Sequence, residues 1–421
     1  MNAQLKTTPL NKWHRDQGAN MADFGGYDMP LWYETGVKNE HLAVLNSAGI
    51  FDTSHMACIS VEAGKDQMDA FTLINDCFTR DITNLVSGRC VYGAFLDEQG
   101  HCIDDAIVYK FCDYQFMICV NAGMGGQIAD HLEANKKDAA VVITDLSGKV
   151  AKMDIQGFNS ARILSGLIQS PESVFTKMPY FSFKGHFNKT GSGADQVKLL
   201  DGTPVLLSRS GYTGEFGFEI FLDPNAIVDL WTGILKAGEK LGISACGLGA
   251  RDSLRAGACL PLSHQDIGHW KFMNHPWDFA LPYSEDKKSF TKEFLGADAL
   301  SSAPSDRFVF PFVGESLKKV AAGEDTLVLE AGQTESIGQV LTCATDMGIG
   351  WNEGVIVSVA SPNLPENIKI KGISCGFVMV SKRLSPGSKL TLKQGKRSIL
   401  VTIVTDIRPD RTARKKLDNF I

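Results

Sequence analysis

The chain has 421 residues, which is enough for about three domains, each with its own apolar core and without help from disulfides. Its 42 Lys and Arg residues against 48 Asp and Glu residues give a formal net charge of −6. Basic residues cluster only over residues 408–416, and no sustained basic stripe runs along the chain. This ordinary globular composition argues against nucleic acid as the main partner.

Ten cysteines are scattered through the chain, mostly within apolar stretches, and no two form a C-x-x-C pair. This usage is typical of buried free thiols in a reducing compartment. No apolar run reaches the ~18 residues of a membrane span, and the polar first residues lack a signal-peptide core. We therefore expect a soluble, cytoplasmic protein that has no membrane partner.

The first 57 residues predict two helices on either side of an irregular stretch. The helices are expected at 10–17 and 37–47, and Gly25, Gly26 and Pro30 break regular structure between them. We interpret the nearby His55 as a partly buried, hydrogen-bonded histidine. Its neighbour Met56 is either a pocket wall or plain core.

A three-stranded antiparallel meander is predicted over residues 90–120, after a strand at 58–62 and a helix at 66–75. Its middle strand carries two adjacent acids, Asp104 and Asp105. Because side chains alternate along a strand, the two acids face opposite ways, and one must lie on the more buried face. The pair is either a charge at a bulge or sheet edge, or a desolvated acid with a raised pKa that suits proton transfer.

Helices and strands alternate between residues 124 and 241. The predicted helices are 124–135, 160–167 and 226–241, and the predicted strands are 139–144 and 150–155. The last helix is amphipathic and is closed by a glycine.

One carboxylate, Glu219, lies in an otherwise apolar, strand-like run within the stretch 211–222, GYTGEFGFEIFL. Glycines recur there every third residue, which suits a tight turn or a backbone that a ligand approaches closely. A carboxylate removed from water needs donors at its oxygens. Two parallel N–H groups, from an arginine or a flat heterocyclic ligand, meet this need best. Glu219 is therefore a candidate ligand-binding residue.

Arg251 and Arg255 lie four residues apart, on one face of a helix predicted within residues 246–260. A helix that begins near two arginines is a candidate anion site. The alternative is that Arg251 pairs within the chain, with Glu219 or with an aspartate.

A group of residue types that can bind metals follows this helix. Its members are His264, Asp266, His269 and His275. Their spacings match no helical i,i+4 pair and no glutamate accompanies them, so we expect no metal site.

The composition changes after residues 303–305, where we place a domain boundary. Six strands are predicted beyond it, at 307–313, 326–330, 337–342, 376–380, 389–392 and 399–404. They predict a small β-barrel. Residues 348–371, rich in Pro, Asn, Gly and Val, are expected to form an inserted loop or hairpin.

Several separate motifs stand in the order known from one enzyme family. They are Asp23-Phe24-Gly25-Gly26 with Met29-Pro30-Leu31, Phe51-Asp52-Thr53-Ser54-His55-Met56, Gly100 with Ile103-Asp104-Asp105, Val120-Asn121-Ala122, Ile155-Gln156-Gly157, GYTGEFGFE and GLGARDSLR. In this order, over almost the whole chain, they resemble the T-proteins, the tetrahydrofolate-dependent aminomethyltransferases of the glycine cleavage system.

The resemblance implies an α+β fold in the form of a three-domain cloverleaf. Two mixed N-terminal domains and a C-terminal β-barrel would surround a central folate site. Domain 1 would combine residues 1–57 with 144–265, domain 2 would combine 58–143 with 266–303, and the barrel would cover 304–421.

The resemblance also implies roles for single residues. Asp105 falls on the catalytic aspartate of the family, Glu219 on the glutamate that takes the pterin edge, and Arg251 on an arginine that contacts substrate. The other folate-pocket positions are Met56, Tyr92, Asn121, Tyr180 and Tyr212. Both lines of argument agree on Glu219, because pterin N3–H and the 2-amino group are two parallel donors.

The chain departs from the family pattern near the mouth where the one-carbon donor would enter. Phe216 stands where the family usually has Asp. Gly257 and Leu260 replace a glutamate and an aromatic residue, and Ser263-His264 replaces Tyr-Gly.

The activity implied is transfer of the one-carbon unit from an aminomethyl group on the lipoyl arm of an H-protein to tetrahydrofolate, giving methylene-tetrahydrofolate and ammonia. Asp105 would orient the reacting nitrogens and assist proton transfer, while burial supplies proximity. The altered mouth leaves an alternative, a tetrahydrofolate-dependent demethylase or methyltransferase with a small O-, N- or S-methyl donor. A non-enzymatic folate-binding scaffold is a third hypothesis, against which Asp105 argues.

Overall fold

The computed structural model describes residues 4–188, 196–302, 305–362, 364 and 368–421. Within these ranges the strands are numbered β1 to β22 and the helices α1 to α9 along the chain. Helices and sheets are mixed, and six strands close into a barrel, which confirms the predicted α+β class. No helix in the described ranges has the length and apolar character needed to cross a bilayer.

A hairpin near the N-terminus joins β1 (Asn20–Phe24) to β2 (Tyr27–Trp32). Its turn is Gly25-Gly26, where φ angles of 58° and 79° favour glycine. Pro30 lies inside β2, so the prediction that it breaks regular structure is wrong. Among the described strands β2 pairs only with β1, and the bridge from Lys6 to Tyr27 on its other edge does not reach Pro30. The register between β1 and β2 also shifts next to Met21, the residue opposite Pro30, which further accommodates proline.

The largest sheet is built from strands far apart in the sequence. They are β3 (Ala48–Asp52), β9 (Ala151–Gln156), β10 (Phe183–Gly185), β11 (Val197–Lys198), β12 (Pro204–Ser208), β13 (Gly217–Leu222) and β14 (Ile243–Ala245). The strand order is β10-β12-β13-β9-β3-β14, with β11 paired to β12. β13 is therefore an interior strand, with β12 and β9 on either side. Ile155, Phe218 and Trp231 lie in the apolar core of this region.

Six helices lie in the same two parts of the chain as the strands of this sheet, before β3 and after β9. They are α1 (Asn11–Asp16), α2 (Gly36–Asn46), α5 (Ser160–Ser165), α6 (Pro171–Phe175), α7 (Ile227–Gly238) and α8 (Leu248–Gly257). α7 covers an apolar stripe that includes Leu230 and Ile234, as its amphipathic pattern predicts.

A second sheet contains the predicted meander. Its strands are β4 (Ala57–Ala63), β5 (Arg89–Leu96), β6 (Cys102–Cys112), β7 (Gln115–Val120) and β8 (Val141–Asp145), in the order β5-β6-β7-β4-β8. Helices α3 (Asp69–Cys77) and α4 (Gly125–Asn135) contribute Leu73 and Ile128 to its core. The strand with the acid pair, β6, is an interior strand.

The predicted barrel is confirmed. Its strands are β15 (Phe308–Gly314), β16 (Gly323–Glu330), β17 (Gly338–Asp346), β20 (Ile373–Val380), β21 (Lys389–Gln394) and β22 (Arg397–Ile403), closed in the order β15-β20-β17-β16-β21-β22. The predicted insertion at 348–371 contains a hairpin of β18 (Ile349–Asn352) and β19 (Val355–Ser358); its residues 363 and 365–367 lie outside the described residues.

The division into three domains stays a prediction. Its last boundary, at residues 303 and 304, lies outside the described residues. The short helix α9 (Ala297–Ser302) precedes that point.

Candidate active site

The Glu219 side chain is held inside the large sheet. On β13 it is paired in register with Asp154 of β9 and Ser208 of β12. Its Oε1 lies 2.5 Å from Lys152 Nζ, and its Oε2 accepts a hydrogen bond of 2.5 Å from Ser210 Oγ. An arginine is therefore not what meets this buried carboxylate.

Lys152 connects Glu219 to a second buried carboxylate. Its Nζ lies 2.7 Å from Asp154 Oδ1, and Arg251 donates to Asp154 Oδ2 at 2.6 Å. Burial alone raises the pKa of Asp154, but the charges of Lys152 and Arg251 lower it to about 2. The alternative that Arg251 pairs within the chain is confirmed, with Asp154 as the partner.

Contacts within the protein and the backbone conformation explain the glycines around Glu219. A Cβ on Gly211 or Gly217 would lie within 2.6 Å of the Gln156 side chain, and Gly214 has a φ of 76° in the turn. The close approach predicted from the glycine spacing is thus made by Gln156 rather than shown for a ligand.

The acid pair lies at a different place, in the interior of the second sheet. Both Asp104 and Asp105 are buried, with 0% and 8% of their surfaces exposed, so the acid on the less buried face is also removed from water. The sheet-edge form of the other alternative is wrong, because β6 is paired on both sides. A bulge does occur next to Asp104, where the register between β5 and β6 shifts between Phe95 and Leu96. Asp104 stays buried because it accepts hydrogen bonds from Asn121 and, at 2.8 Å, from Ser263 Oγ.

Asp105 has the environment of a group that can exchange a proton. Tyr92 Oη donates to its Oδ2 at 2.8 Å, and Asn121 Nδ2 donates to its Oδ1 at 2.8 Å. Burial and the adjacent Asp104 carboxylate together raise the pKa of Asp105 to about 6, against the lowering effect of these hydrogen bonds. A carboxyl group with this pKa can both take and give a proton near neutral pH.

Arg251, which pairs with Asp154, also contacts the ring of Tyr212. The guanidinium carbon of Arg251 is 4.7 Å from the centroid of the Tyr212 ring. Tyr212 donates its hydroxyl hydrogen to the carbonyl of Pro261. Burial raises the pKa of the Tyr212 phenol, and the Asp105 carboxylate adds to that shift. Tyr212 thus contacts Arg251 and is under the electrostatic influence of Asp105.

The two remaining predicted residues border the Glu219 group. Burial raises the pKa of Tyr180 to about 12, and Glu219 adds to the shift while Arg414 opposes it. Met56 is partly buried against an apolar cluster that contains Tyr109 and Phe221. The contacts thus assemble one group around Asp105, with Asp104, Tyr92 and Asn121. A second group around Glu219 contains Lys152, Asp154 and Ser210 and extends through Arg251 to Tyr212.

Lys152, Asp154 and Ser210 are site residues that the sequence analysis missed. A signal for two of them was present, because Lys152 and Asp154 stand two apart, on one face of a strand predicted to be buried. Two buried charges of opposite sign on one strand face indicate an internal ion pair.

His55 is more deeply buried than predicted, with 4% of its surface exposed. Its Nδ1 atom is buried and has no hydrogen-bond partner, so the prediction of a hydrogen-bonded histidine is not met at this atom. The rings of Phe24 and Tyr27 lie edge-on to it, at centroid distances of 5.4 and 6.4 Å. Burial lowers the pKa of His55 to about 4.

The four possible metal ligands after α8 do not converge. Asp266 pairs with Arg255, His275 accepts from the N–H of Trp277, and His264 lies 3.4 Å from Asp104. Over the described ranges, the group of residues that could hold a metal ion together contains His269 but none of the other three.

Two of the residues that depart from the T-protein pattern, Phe216 and Gly257, pack against other parts of the chain. The ring of Phe216 stacks on Phe420 at 3.9 Å. A Cβ on Gly257 would lie 1.7 Å from Asp346 Oδ2, so the barrel carboxylate occupies the space of a larger side chain.

The family model of the GCVT N-terminal domain matches residues 10–273. The chain is similar to the aminomethyltransferase of Alkaliphilus oremlandii (strain OhILAs), 30% identical over 413 residues, with 98% of this chain and 100% of that protein covered. It is also similar to the aminomethyltransferase of Lysinibacillus sphaericus (strain C3-41), 32% identical over 343 residues, with 81% and 86% covered.

Among solved structures, the chain resembles the glycine cleavage system aminomethyltransferase T from Bartonella henselae. The TM-score is 0.75 at 24% identity, and the match covers 98% of this chain and 99% of that one. This likeness supports the fold.

Proposed function

The chain belongs to the GCVT family, the family of the aminomethyltransferases, and we propose that it transfers a one-carbon unit to tetrahydrofolate. The donor is an aminomethyl group on the lipoyl arm of an H-protein, and the products are methylene-tetrahydrofolate, ammonia and the reduced lipoyl arm. The observation that carries this proposal is Asp105, a buried acid with a pKa raised to about 6 whose two carboxylate oxygens are held by Tyr92 and Asn121.

Glu219 fits the edge of a pterin ring. Each oxygen of a carboxylate accepts more than one hydrogen bond, so the contacts with Lys152 and Ser210 leave acceptor capacity on both. The positive charge of Lys152, 2.5 Å away, compensates the negative charge of this buried carboxylate. The pterin supplies two parallel N–H donors, N3–H and the 2-amino group.

Tetrahydrofolate supplies the amine nucleophiles that take up the carbon. Asp105 acts on these amines as a general base and then as a general acid. Its ionised form accepts a proton from the attacking amine, and its protonated form returns a proton to the departing amino group, which leaves as ammonia. Tyr92 and Asn121 fix the orientation of the carboxylate by donating to separate oxygens.

Of the other predicted residues, Arg251 contributes a positive charge to the site, and Tyr212, Tyr180 and Met56 form its walls. Arg251 pairs with Asp154, lies over the ring of Tyr212 and thereby holds this ring as a wall of the site. Tyr180 and Met56 border the Glu219 group. We propose these residues as the folate-binding set, in a three-domain arrangement and in a cytoplasmic enzyme.

The two relatives bear the name aminomethyltransferase, which favours this reaction over the demethylase alternative. The decisive assay supplies the purified protein with H-protein carrying an aminomethyl group on its lipoyl arm, together with tetrahydrofolate. We expect ammonia and methylene-tetrahydrofolate in equal amounts. H-protein without lipoate is the control, and it should give neither product.

Absence of both products with loaded H-protein would overturn the proposal. Methyl transfer from a small O-, N- or S-methyl compound under the same conditions would establish the demethylase instead.

A further inference from the structure

The turn between β5 and β6 meets the segment after α8 at the protein surface. The N–H of Phe272 donates to the carbonyl of Gly100 at 3.0 Å, and the N–H of Cys102 donates to that of Trp270 at 3.4 Å. These bonds lie on both sides of His101. These two hydrogen bonds therefore hold the β5–β6 turn and the segment after α8 together on either side of His101.

Three side chains with metal-binding atoms meet at this junction: Asp97, His101 and His269. Asp97 Oδ2 lies 3.4 Å from His101 Nδ1, and the two imidazole centroids are 4.7 Å apart. One ligand atom from each residue falls within 4.8 Å of the other two. All three side chains reach solvent, so an ion has access to them.

The carboxylate is oriented for a ligand at one oxygen. Its Oδ1 accepts the N–H groups of Gln99 at 2.9 Å and His101 at 2.8 Å, which leaves Oδ2 directed toward the histidines. In a tetrahedral zinc site with bonds of about 2.0–2.1 Å, ligand atoms are about 3.4 Å apart. The Asp97 and His101 atoms already have that spacing. The ligand atom of the exposed His269 lies within 4.8 Å of both, so a rotation of this side chain completes the other two edges.

We propose that Asp97, His101 and His269 form a binding site for one divalent transition cation of the zinc class. Imidazole nitrogens favour zinc, copper and nickel over magnesium and calcium, and a single carboxylate completes such a set. With three protein ligands, the fourth position is taken by water. This site lies outside the Glu219 and Asp105 groups and goes beyond the proposed function.

The bound cation stabilises the segment that covers the acid pair. That segment, residues 263–269, carries Ser263, whose Oγ donates to Asp104 Oδ1, and His264, whose Nε2 lies 3.4 Å from the same oxygen. A bond from the cation to His269 ties the far end of the segment to the β5–β6 turn, so metal binding stabilises the folded state.

The test uses the full chain, stripped with a chelator and dialysed, then titrated with Zn²⁺ in competition with a chromophoric chelator. We expect one Zn²⁺ per chain that the His269→Gln variant binds at least about tenfold more weakly, since loss of even a supporting residue costs 10–100-fold. His269 is exposed, so this variant keeps its fold. The His186→Gln variant, changed outside the cluster, is the matched control and should bind as the unchanged chain does.

The melting temperature gives a second readout. Zn²⁺ should raise it in the unchanged chain and in His186→Gln, and not in His269→Gln or His101→Gln. Equal Zn²⁺ affinity in all four proteins, or no stoichiometric binding by the unchanged chain, would overturn the proposal.

Discussion

Lys152 Nζ lies 2.5 Å from Glu219 Oε1, across two neighbouring strands of the large sheet. Both side chains are almost completely buried. The ammonium group also meets Asp154, so it balances two carboxylates that would otherwise repel each other. The burial of Glu219, the residue proposed to bind folate, therefore depends on the positive charge of Lys152, to which we assign no role in the reaction itself.

Replacing Lys152 by methionine should destabilise the protein. The variant leaves Glu219 and Asp154 buried with Arg251 as the remaining nearby cation, and removal of one member of a buried ion pair costs about 3–5 kcal/mol. The free energy of unfolding in urea measures the effect. Lys149→Met, at an exposed position on the same stretch, is the control and should change stability by less than about 0.5 kcal/mol. Equal stability of the two variants would contradict the prediction.

Glu219→Gln should weaken tetrahydrofolate binding. The amide loses the charge that strengthens the two bonds to the pterin edge, and a hydrogen bond to a charged group contributes about 1.5–3 kcal/mol, or about 10–100-fold in affinity. Calorimetric titration with tetrahydrofolate measures this. Glu62→Gln, exposed on β4, should bind normally. The pterin assignment fails if the affinity of Glu219→Gln is unchanged.

Asp105→Asn should lose turnover while keeping most of its folate affinity. A positioned acid or base contributes about 10²–10⁴-fold to a rate, and the amide cannot exchange the proton. Steady-state rates with loaded H-protein give kcat, and the same folate titration gives affinity. Asp113→Asn, at the exposed turn after β6, should be as active as the unchanged enzyme. Unchanged kcat in Asp105→Asn would remove its catalytic role.

The pH dependence of stability should also report on Asp105. Its pKa in the folded protein is raised to about 6, above the value of about 3.9 for an unfolded aspartate, so the folded state binds the proton more tightly. The contribution of this carboxyl group to stability therefore falls as the pH rises from about 4 to about 6. We expect the unfolding free energy of Asp105→Asn, relative to the unchanged chain, to be higher at pH 7.5 than at pH 3.5. A difference independent of pH would contradict this.

Gly257→Ala should destabilise the contact between α8 and the barrel. Asp346 Oδ2 lies 2.5 Å from Arg408 Nη1, and the added Cβ would lie 1.7 Å from the same oxygen. Overpacking of this kind costs about 1–3 kcal/mol. Gly126→Ala, in helix α4, is the control: the nearest atom to its added Cβ is Asp145 Oδ2 at 4.0 Å, an ordinary contact, and it should stabilise by about 0.5–1 kcal/mol. Urea unfolding of both variants shows whether the free energy of unfolding changes in opposite directions. A Gly257→Ala variant as stable as the unchanged chain would refute the prediction.

The sequence determined the elements and the residue types of the site. Periodicity located the meander, helix α7 and all six barrel strands, because alternation and helical spacing are local properties of the chain. The order of the motifs indicated the family, and an acid within an apolar strand singled out Glu219. Pro30 was misjudged because its tolerance depends on whether its strand has a free edge, which local sequence does not state.

Only the tertiary structure decided which charges meet. Strand order places Lys152 of β9 beside Glu219 of β13, and it makes β6 an interior strand, so both members of the acid pair are buried. It also separates His269 from the other candidate ligands of its own segment and places it beside Asp97 and His101. The partner of a charged side chain depends on contacts between distant parts of the chain, and these exist only once the sheets have formed.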